Sequence, residues 1–537
     1  MAVMAVRHSG KGTGVQFKIA GFLTAALMAL ATGCAAAAPT SDVKIAQGDL
    51  QGSVEGDIAI FKDIPYAAAP VGPLRWRAPQ PGPAWQGVRE ATEFGPACLQ
   101  TGAEASRAPQ SEDCLTLNVW TPAARPDAKA PVMVWIHGGG FVIGTGARYN
   151  GVEFARSGVV LVTINYRLGR LGFFAHPALA KTSPDGDLAN FGLADQIAAL
   201  KWVRANIKAF GGDPANVTVF GESAGAMSVN FLLASPAARG LFERANSESG
   251  FARAPARALP AAEQDGMALA KTAGVSGDDA AAIAALRALP AETFTTSAPD
   301  LAADDRIGPI LDGVIAKENV PDAFVAGRQA KVPLIVGGNS FEASLFGDIL
   351  QKPDFILARL GDKRDQAVKL YGDGDEGKAA ANLTTLSQVI EPNRFQARET
   401  VKAGAPAWLY YFSYLPAAIR ASAPGAGHGY EIAYVFDRLT KTDIHVPPGQ
   451  RWQGVELIPA ATPEDEAIAK AMHAYWVAFA KTGKPGGAGG VEWPAVTASE
   501  DPVMEFGVGG PVVRASFKKL QLDVLESIAD AHGGSSF

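Results

Sequence analysis

The sequence predicts an α/β fold class: a central, mostly parallel sheet with helices on both faces and helical insertions over one end. Short apolar, β-rich runs bounded by turns recur at 132–136 (VMVWI), 159–164 (VVLVTI), 217–220 (VTVF), 332–336 (VPLIV) and 408–414 (WLYYFSY). Their apolar residues are consecutive rather than alternate, as in strands buried on both faces. Helical stretches such as 192–210 separate several of them, the alternation that parallel crossover connections require. Two Ala-rich segments, roughly 252–330 and 348–405, lack strand-like runs and are expected as helical insertions above the sheet. In this architecture chemistry collects at the carboxyl ends of strands, which makes the residues after each run the functional candidates.

The chain has 537 residues, with 48 Lys+Arg against 54 Asp+Glu and a formal charge of −6. At 48% hydrophobic and 19% charged it can bury a large core. A mildly acidic surface cannot neutralise phosphates, which excludes nucleic acid as a partner. The sole long apolar run is too short for an integral membrane protein, so no stable membrane span is expected. That run, 19–31 (IAGFLTAALMALA), follows Arg7, Lys11 and Lys18 with no acid before it, the pattern of a secretory signal. Residues 1–38 are therefore expected as a signal peptide, cleaved after the small-residue run 35–38 or lipidated at Cys34. Cleavage is favoured, because in LATGC the leucine stands one place further from Cys34 than a lipobox puts it. Residues 39–537 are expected as one elaborated domain, exported to the periplasm or secreted. Export leaves Cys98 and Cys114 as one pair in an oxidising compartment, where a disulfide is expected.

The run at 217–220 leads into Gly221-Glu222-Ser223-Ala224-Gly225 and then the helix-compatible AMSVNFLLA. G-x-S-x-G between strand and helix is a nucleophile elbow: its glycines permit a tight turn that lifts the Ser223 hydroxyl clear of the backbone. An ordinary helix-cap serine is the alternative. A serine hydroxyl is a weak nucleophile without a base, and acyl transfer also needs N–H donors for the developing oxyanion. After 132–136 stands His137-Gly138-Gly139-Gly140-Phe141, where residues without side chains let backbone amides approach a substrate oxygen. The donors would be the amides of Gly139, Gly140 and Ala224. A phosphate loop is excluded there, because neither G-x-G-x-x-G nor G-x-x-x-x-G-K-[ST] is present.

In this fold the chain order is serine, acid, histidine, so the base lies beyond Ser223. His8, His137 and His176 precede it; His428, His445, His473 and His532 remain. His428 sits in the flexible loop Gly425-Ala426-Gly427-His428-Gly429 after a strand, the placement a movable imidazole needs. His473 lies at helical spacing and is expected to be packed or solvated, and His532 is close to a frayed end. Pattern alone does not separate His445 from His428. For the acid, Glu342 follows Gly337-Gly338-Asn339 after the 332–336 run, where a carboxylate could accept the imidazole N–H. Asp312 is the alternative, in the turn-like Leu311-Asp312-Gly313, where an Asx turn is expected.

These residues lie within blocks that resemble the type-B carboxylesterase/lipase family, which includes bacterial para-nitrobenzyl esterases, animal carboxylesterases and cholinesterases. The resemblance runs from about Gly52 to Val496. It includes Glu112-Asp113-Cys114-Leu115-Thr116-Leu117-Asn118-Val119 with Trp120 and Pro122, and the run FGGDPANVTVFGESAG at 210–225. Further blocks are FKDIPYAAAPVGPLRWRAP (61–79), NYRLGRLGFFA (165–175), HGYEIAYVF (428–436) and FAKTGKP (479–485). The resemblance implies an α/β-hydrolase fold with nucleophile Ser223, acid Glu342, base His428 and oxyanion donors Gly139, Gly140 and Ala224. It also implies a Cys98–Cys114 disulfide, a supporting role for Ser249, a small-molecule ester substrate, and neither metal nor organic cofactor.

The chain departs from the family pattern in three places. The strand before Ser249 reads Ala245-Asn246-Ser247-Glu248 where apolar residues are usual. Glu342 follows phenylalanine where relatives commonly have aspartate. The loop between Cys98 and Cys114 has no aromatic residue, whereas cholinesterases place a choline-binding tryptophan there. With Arg107 in that loop, neutral or anionic esters are expected to be preferred over choline esters. The chain is also similar to fumonisin esterases, which release tricarballylate from a bulky mycotoxin ester. The expectation is a generalist carboxylesterase acting through an acyl-enzyme, with a fumonisin esterase as the alternative. A non-catalytic adhesion or scaffold member is the remaining rival, and the presence of all three triad residues argues against it.

Overall fold

The apolar runs become the middle of one thirteen-stranded sheet. The computed structural model describes residues 40–101, 109–182, 189–295, 307–439 and 461–531. Its strands are β1 (Thr40–Ile45), β2 (Gly48–Glu55), β3 (Ile58–Pro65), β4 (Thr116–Thr121), β5 (Ala130–Ile136), β6 (Val160–Ile164) and β7 (Gly212–Glu222). They continue with β8 (Arg244–Glu248), β9 (Leu334–Asn339), β10 (Ala407–Phe412), β11 (Val503–Gly507) and β12 (Gly510–Arg514). Their order in space is β1-β2-β3-β4-β6-β5-β7-β8-β9-β10-β11-β12, with Val88–Glu90 paired beside β2. From β6 to β11 every neighbour is parallel. The first four strands and β12 are antiparallel additions at the two edges. The expected signal peptide, Cys34, Arg107, His445 and His532 lie outside the described residues.

The consecutive apolar pattern has a direct cause: each central strand feeds a core on either side. Val132, Val134 and Ile136 of β5 join one core with Val160, Val162, Val217 and Val219. Met133 and Trp135, pointing the other way, join the second with Leu161, Phe220, Ile335 and Tyr410. The helix expected over 192–210 is α1 (Phe191–Asn206), which tightens into a 3₁₀ turn at Ile207–Phe210 and stops at Gly211, whose φ of 83° is left-handed. The elbow is followed by α2 (Ala224–Ala234).

Both Ala-rich segments are helical insertions. The first carries α3 (Leu259–Thr272) and α4 (Ala280–Ala288), together with a two-residue parallel pairing of Arg257–Ala258 with Ile310–Leu311 that the composition does not predict. The second carries α5 (Arg364–Gly372), α6 (Glu376–Thr385), a π turn at Leu386–Ile390 and α7 (Glu391–Lys402). Near the end of the chain, α8 (Pro463–Thr482) opens with a capping box between Thr462 and Asp465 and buries Met472, Tyr475, Trp476 and Phe479 in the second core.

Candidate active site

Ser223 stands at the turn between β7 and α2 with φ 57° and ψ −124°, a backbone region that costs a non-glycine residue about 1–3 kcal/mol and persists only when its surroundings hold it. Its N–H donates to Glu248 O (2.9 Å) and its carbonyl accepts from Met227 N (2.8 Å). Gly225 allows the close approach: a Cβ there would lie 2.0 Å from Ile136 O, and one at Gly221 would lie 2.5 Å from the same oxygen. Helix α2 therefore presses against the end of β5, which draws the following loop onto the serine. A Cβ at Gly138 would stand 3.0 Å from Ser223 Cβ. Gly139 and Gly140 have φ of 103° and 62°, and Gly139 O accepts from Val142 N and Ile143 N, closing the turn. His137 braces this loop. Burial pushes its imidazole down to about 4, so it is neutral; its ring stacks on Tyr166 at 4.4 Å, and Tyr166 OH donates to His137 O (2.8 Å).

Glu342 opens a 3₁₀ turn just beyond β9 and is buried. Its Oε1 accepts from Ser249 Oγ and from Asn339 N, both at 2.6 Å, and its Oε2 lies 2.5 Å from His428 Nδ1. The fold thus brings Ser249, Glu342 and His428 together from residues 86 and 93 positions apart. His428 is itself fixed by Ser344 Oγ, which accepts from its backbone N (2.9 Å). The polar segment before Ser249 is fully buried, and Glu248 Oε1 is met by the indole N–H of Trp476 (2.8 Å).

Two carboxyls outside the motif roles, Glu222 and Glu431, flank the imidazole, and a third, Glu248, adjoins them. Glu222 Oε1 lies 3.0 Å from His428 Nε2. Glu431 Oε2 accepts from Asn339 Nδ2, whose amide also donates to Gly427 O (2.8 Å). Glu248 is the strand neighbour of Glu222 in register. Burial pushes Glu222 up to about 7, with His428 pulling it down and Glu342 pushing it up. Burial, then Glu222 and Glu342, lift Glu431 to about 8, and Glu248 rises well above the usual carboxyl range for the same first reason. For His428, burial opposes the charged ring, but Glu222, Glu342 and Glu431 outweigh it and raise the imidazole to about 9. Glu222 stands inside the G-x-S-x-G motif, at a position whose identity the motif leaves open. Glu431 stands three residues after His428 in the HGYE block.

The other candidates fall elsewhere. Asp312 Oδ1 accepts the backbone N–H groups of Val314, Ile315 and Ala316, the local turn its sequence suggested. His473 is packed in α8, with Nδ1 2.8 Å from Val435 O and Nε2 3.0 Å from Ser157 Oγ. Cys98 and Cys114 are joined, with Cα atoms 5.0 Å apart. Among the described residues no group of His, Cys, Asp and Glu could hold a metal ion, and no helix is long and apolar enough to cross a membrane.

A strained serine after a parallel strand, a glycine loop against it and a buried carboxylate–imidazole pair nearby together define an α/β-hydrolase. The chain belongs to the carboxylesterase family, whose model matches residues 39–525, and it is a carboxylic-ester hydrolase. It is 39% identical to a fumonisin B1 esterase of Sphingopyxis macrogoltabida, over 89% of each chain. It is 35% identical to a para-nitrobenzyl esterase of Bacillus subtilis, covering 83% of this chain and 91% of that one. A crystal structure of a Geobacillus stearothermophilus carboxylesterase superposes with a TM-score of 0.77 at 34% identity, covering 89% of this chain and 98% of the other.

Proposed function

We propose that ester cleavage runs through an acyl-enzyme on Ser223, with His428 as general base and acid, Glu342 as the acid that orients it, and Ser249 supporting Glu342. The observation that carries this reading is the chain of hydrogen bonds from Ser249 through Glu342 to His428 Nδ1, with His428 Nε2 3.0 Å from Glu222, the residue that precedes the strained turn of Ser223. His428 Nε2 takes the Ser223 proton as the hydroxyl attacks the ester carbonyl, then returns it to the departing alcohol. The amides of Gly139, Gly140 and Ala224 receive the developing oxyanion. Water, deprotonated by the same imidazole, releases the acid. The carboxylates that lift the proton affinity of His428 stabilise the imidazolium formed in both transition states.

The substrate class proposed is neutral or anionic carboxylic esters, hydrolysed by a generalist carboxylesterase. A second reading, an esterase for bulky polycarboxylate esters of the fumonisin type, is favoured by the 39% identity to an enzyme of that name. Export is proposed from the expected signal peptide, and the disulfide supports it. Ser223→Ala tests the mechanism: kcat for nitrophenyl butyrate should fall by about 10⁴-fold or more with the fold intact, and a variant keeping more than about a tenth of wild-type turnover would refute it. A panel of nitrophenyl butyrate, butyrylcholine and a fumonisin-type diester separates the substrate readings. Absence of tricarballylate release removes the second.

A further inference from the structure

Ser249 reaches Glu342 from a loop whose own shape needs explanation. Ser249 and Phe251 both have positive φ, 56° and 45°, without being glycine, so the 249–253 segment holds its shape only if something outside it does the holding. The support comes from α7, in the second insertion, at three points. Asn393 Nδ2 donates to Gly337 O (2.7 Å), the same carbonyl that accepts from Ser249 N (2.8 Å). Gln396 Nε2 donates to Asn230 Oδ1 (2.7 Å), and Asn230 Nδ2 donates to Gly250 O (2.9 Å). Glu391, the first residue of α7, takes the Arg253 guanidinium through Nε at 2.9 and 3.2 Å and through Nη2 at 2.8 Å.

The third contact is the strongest of the three. Arg253 is 1% and Glu391 3% exposed, and the guanidinium carbon lies over the ring of Phe395, one turn further along α7, 3.8 Å from its centroid. A forked, charge-assisted contact above an aromatic ring fixes the orientation as well as the place of Arg253, which a point charge would not do. Burying two charges gives little net stability, so this pair is poorly explained as a stabilising device. It is well explained as a clamp on a strained loop.

We propose that Arg253 is a positioning residue for the hydrolysis, acting through Ser249. Clamped to α7 by Glu391, it holds the loop so that the Ser249 hydroxyl is aimed at Glu342, which in turn aims the imidazole. This rests on the triad reading above. It also gives the second helical insertion a role in the chemistry, since α7 then supports the acid without touching substrate.

The test is a double-mutant cycle on nitrophenyl butyrate hydrolysis. Arg253→Met with Glu391→Leu removes the clamp without leaving a lone buried charge. In the wild-type background this pair should lower kcat on the order of 10-fold to 100-fold, with KM changed less than about 3-fold. In a Ser249→Ala background the same pair should cost less than about 3-fold more, because the group through which it acts is already gone. Equal losses in the two backgrounds would assign Arg253 a merely structural part and overturn the inference, as would an unchanged kcat in the wild-type background. If the Met/Leu pair does not fold, Arg253→Lys, which keeps the charge and loses the fork, is read through the same cycle. Activity surviving in Ser223→Ala would instead overturn the triad reading, so the two failures are told apart.

Discussion

Replacing Glu222 with Gln should move the acid limb of the pH–rate profile toward lower pH. Glu222 Oε1 stands 3.0 Å from His428 Nε2, and both side chains are buried. At an effective dielectric of about 20, unit charges at that separation attract by roughly 5 kcal/mol, an upper limit of about 4 pH units on the imidazole. Glu222 is itself raised to about 7, so near neutrality only part of that charge is present. Glu342 and Glu431 also remain to hold the imidazole above its ordinary 6.5. The expected displacement is therefore roughly 1–2 pH units downward. The sign follows from the proposed role of His428 as a base, which must be neutral to act: a carboxylate beside the ring favours the imidazolium, and its removal frees the ring at lower pH. In the proposed mechanism the same carboxylate stabilises the imidazolium of the transition state, so the plateau kcat should fall as well. The assay is kcat/KM for an uncharged ester from about pH 5 to about pH 10, wild type against Glu222→Gln, with thermal unfolding as a control. A limb that stays within about 0.3 unit, or moves upward, would refute the electrostatic account of His428.

Gly225→Ala forces a Cβ to within 2.0 Å of Ile136 O, a backbone atom that cannot step aside. We expect about 1–3 kcal/mol of destabilisation and a fall in kcat of on the order of 100-fold, read by denaturant unfolding and by turnover of the folded fraction; wild-type values would show that α2 can shift without cost. Cys98 and Cys114 are 16 positions apart, and closing a loop of that length contributes about 3 kcal/mol in the chain-entropy model. At about 2.1 cal/mol/K per residue for a domain of this size, reduction should lower Tm by about 3 °C and leave turnover in place, as calorimetry with and without reductant would record. Asp312→Ala should lower stability by about 1–3 kcal/mol through three lost turn hydrogen bonds while sparing kcat; a large loss of kcat without unfolding would move the acid assignment away from Glu342.

Much of this molecule is written locally. Consecutive apolar residues mark the central strands, because a strand covered on both faces must be apolar on both sides, and VMVWI divides its side chains between the two cores. The elbow at Ser223 and the glycine loop at 137–140 are equally legible, since a tight turn and a close backbone approach each restrict the residues that can occupy them. The antiparallel strands at the N-terminal edge carry a weaker local signal. In β2 buried and half-exposed positions are mixed, and what makes it a strand is pairing with its neighbours.

What the sequence by itself determined is the chain's own local chemistry: which serine sits in an elbow, which loop can present amides, and which family these motifs resemble. Tertiary structure alone decided which groups meet. Local pattern leaves Glu342 beside Asp312, and the resemblance implies Glu342 with His428; in the fold those two meet across 86 positions while Asp312 is spent on its own turn. Glu222, Glu248 and Glu431 read in one dimension as ordinary acidic residues. They become a buried carboxyl cluster because β7 and β8 pair in register and because the His428 loop folds back over the strand ends. Arg253 and Glu391, 138 positions apart, gave no sequence signal, since an ion pair between distant elements leaves no periodicity and no spacing rule. Local sequence limits what each segment can be, and only the packing of the two cores against the sheet sets the distances on which the chemistry depends.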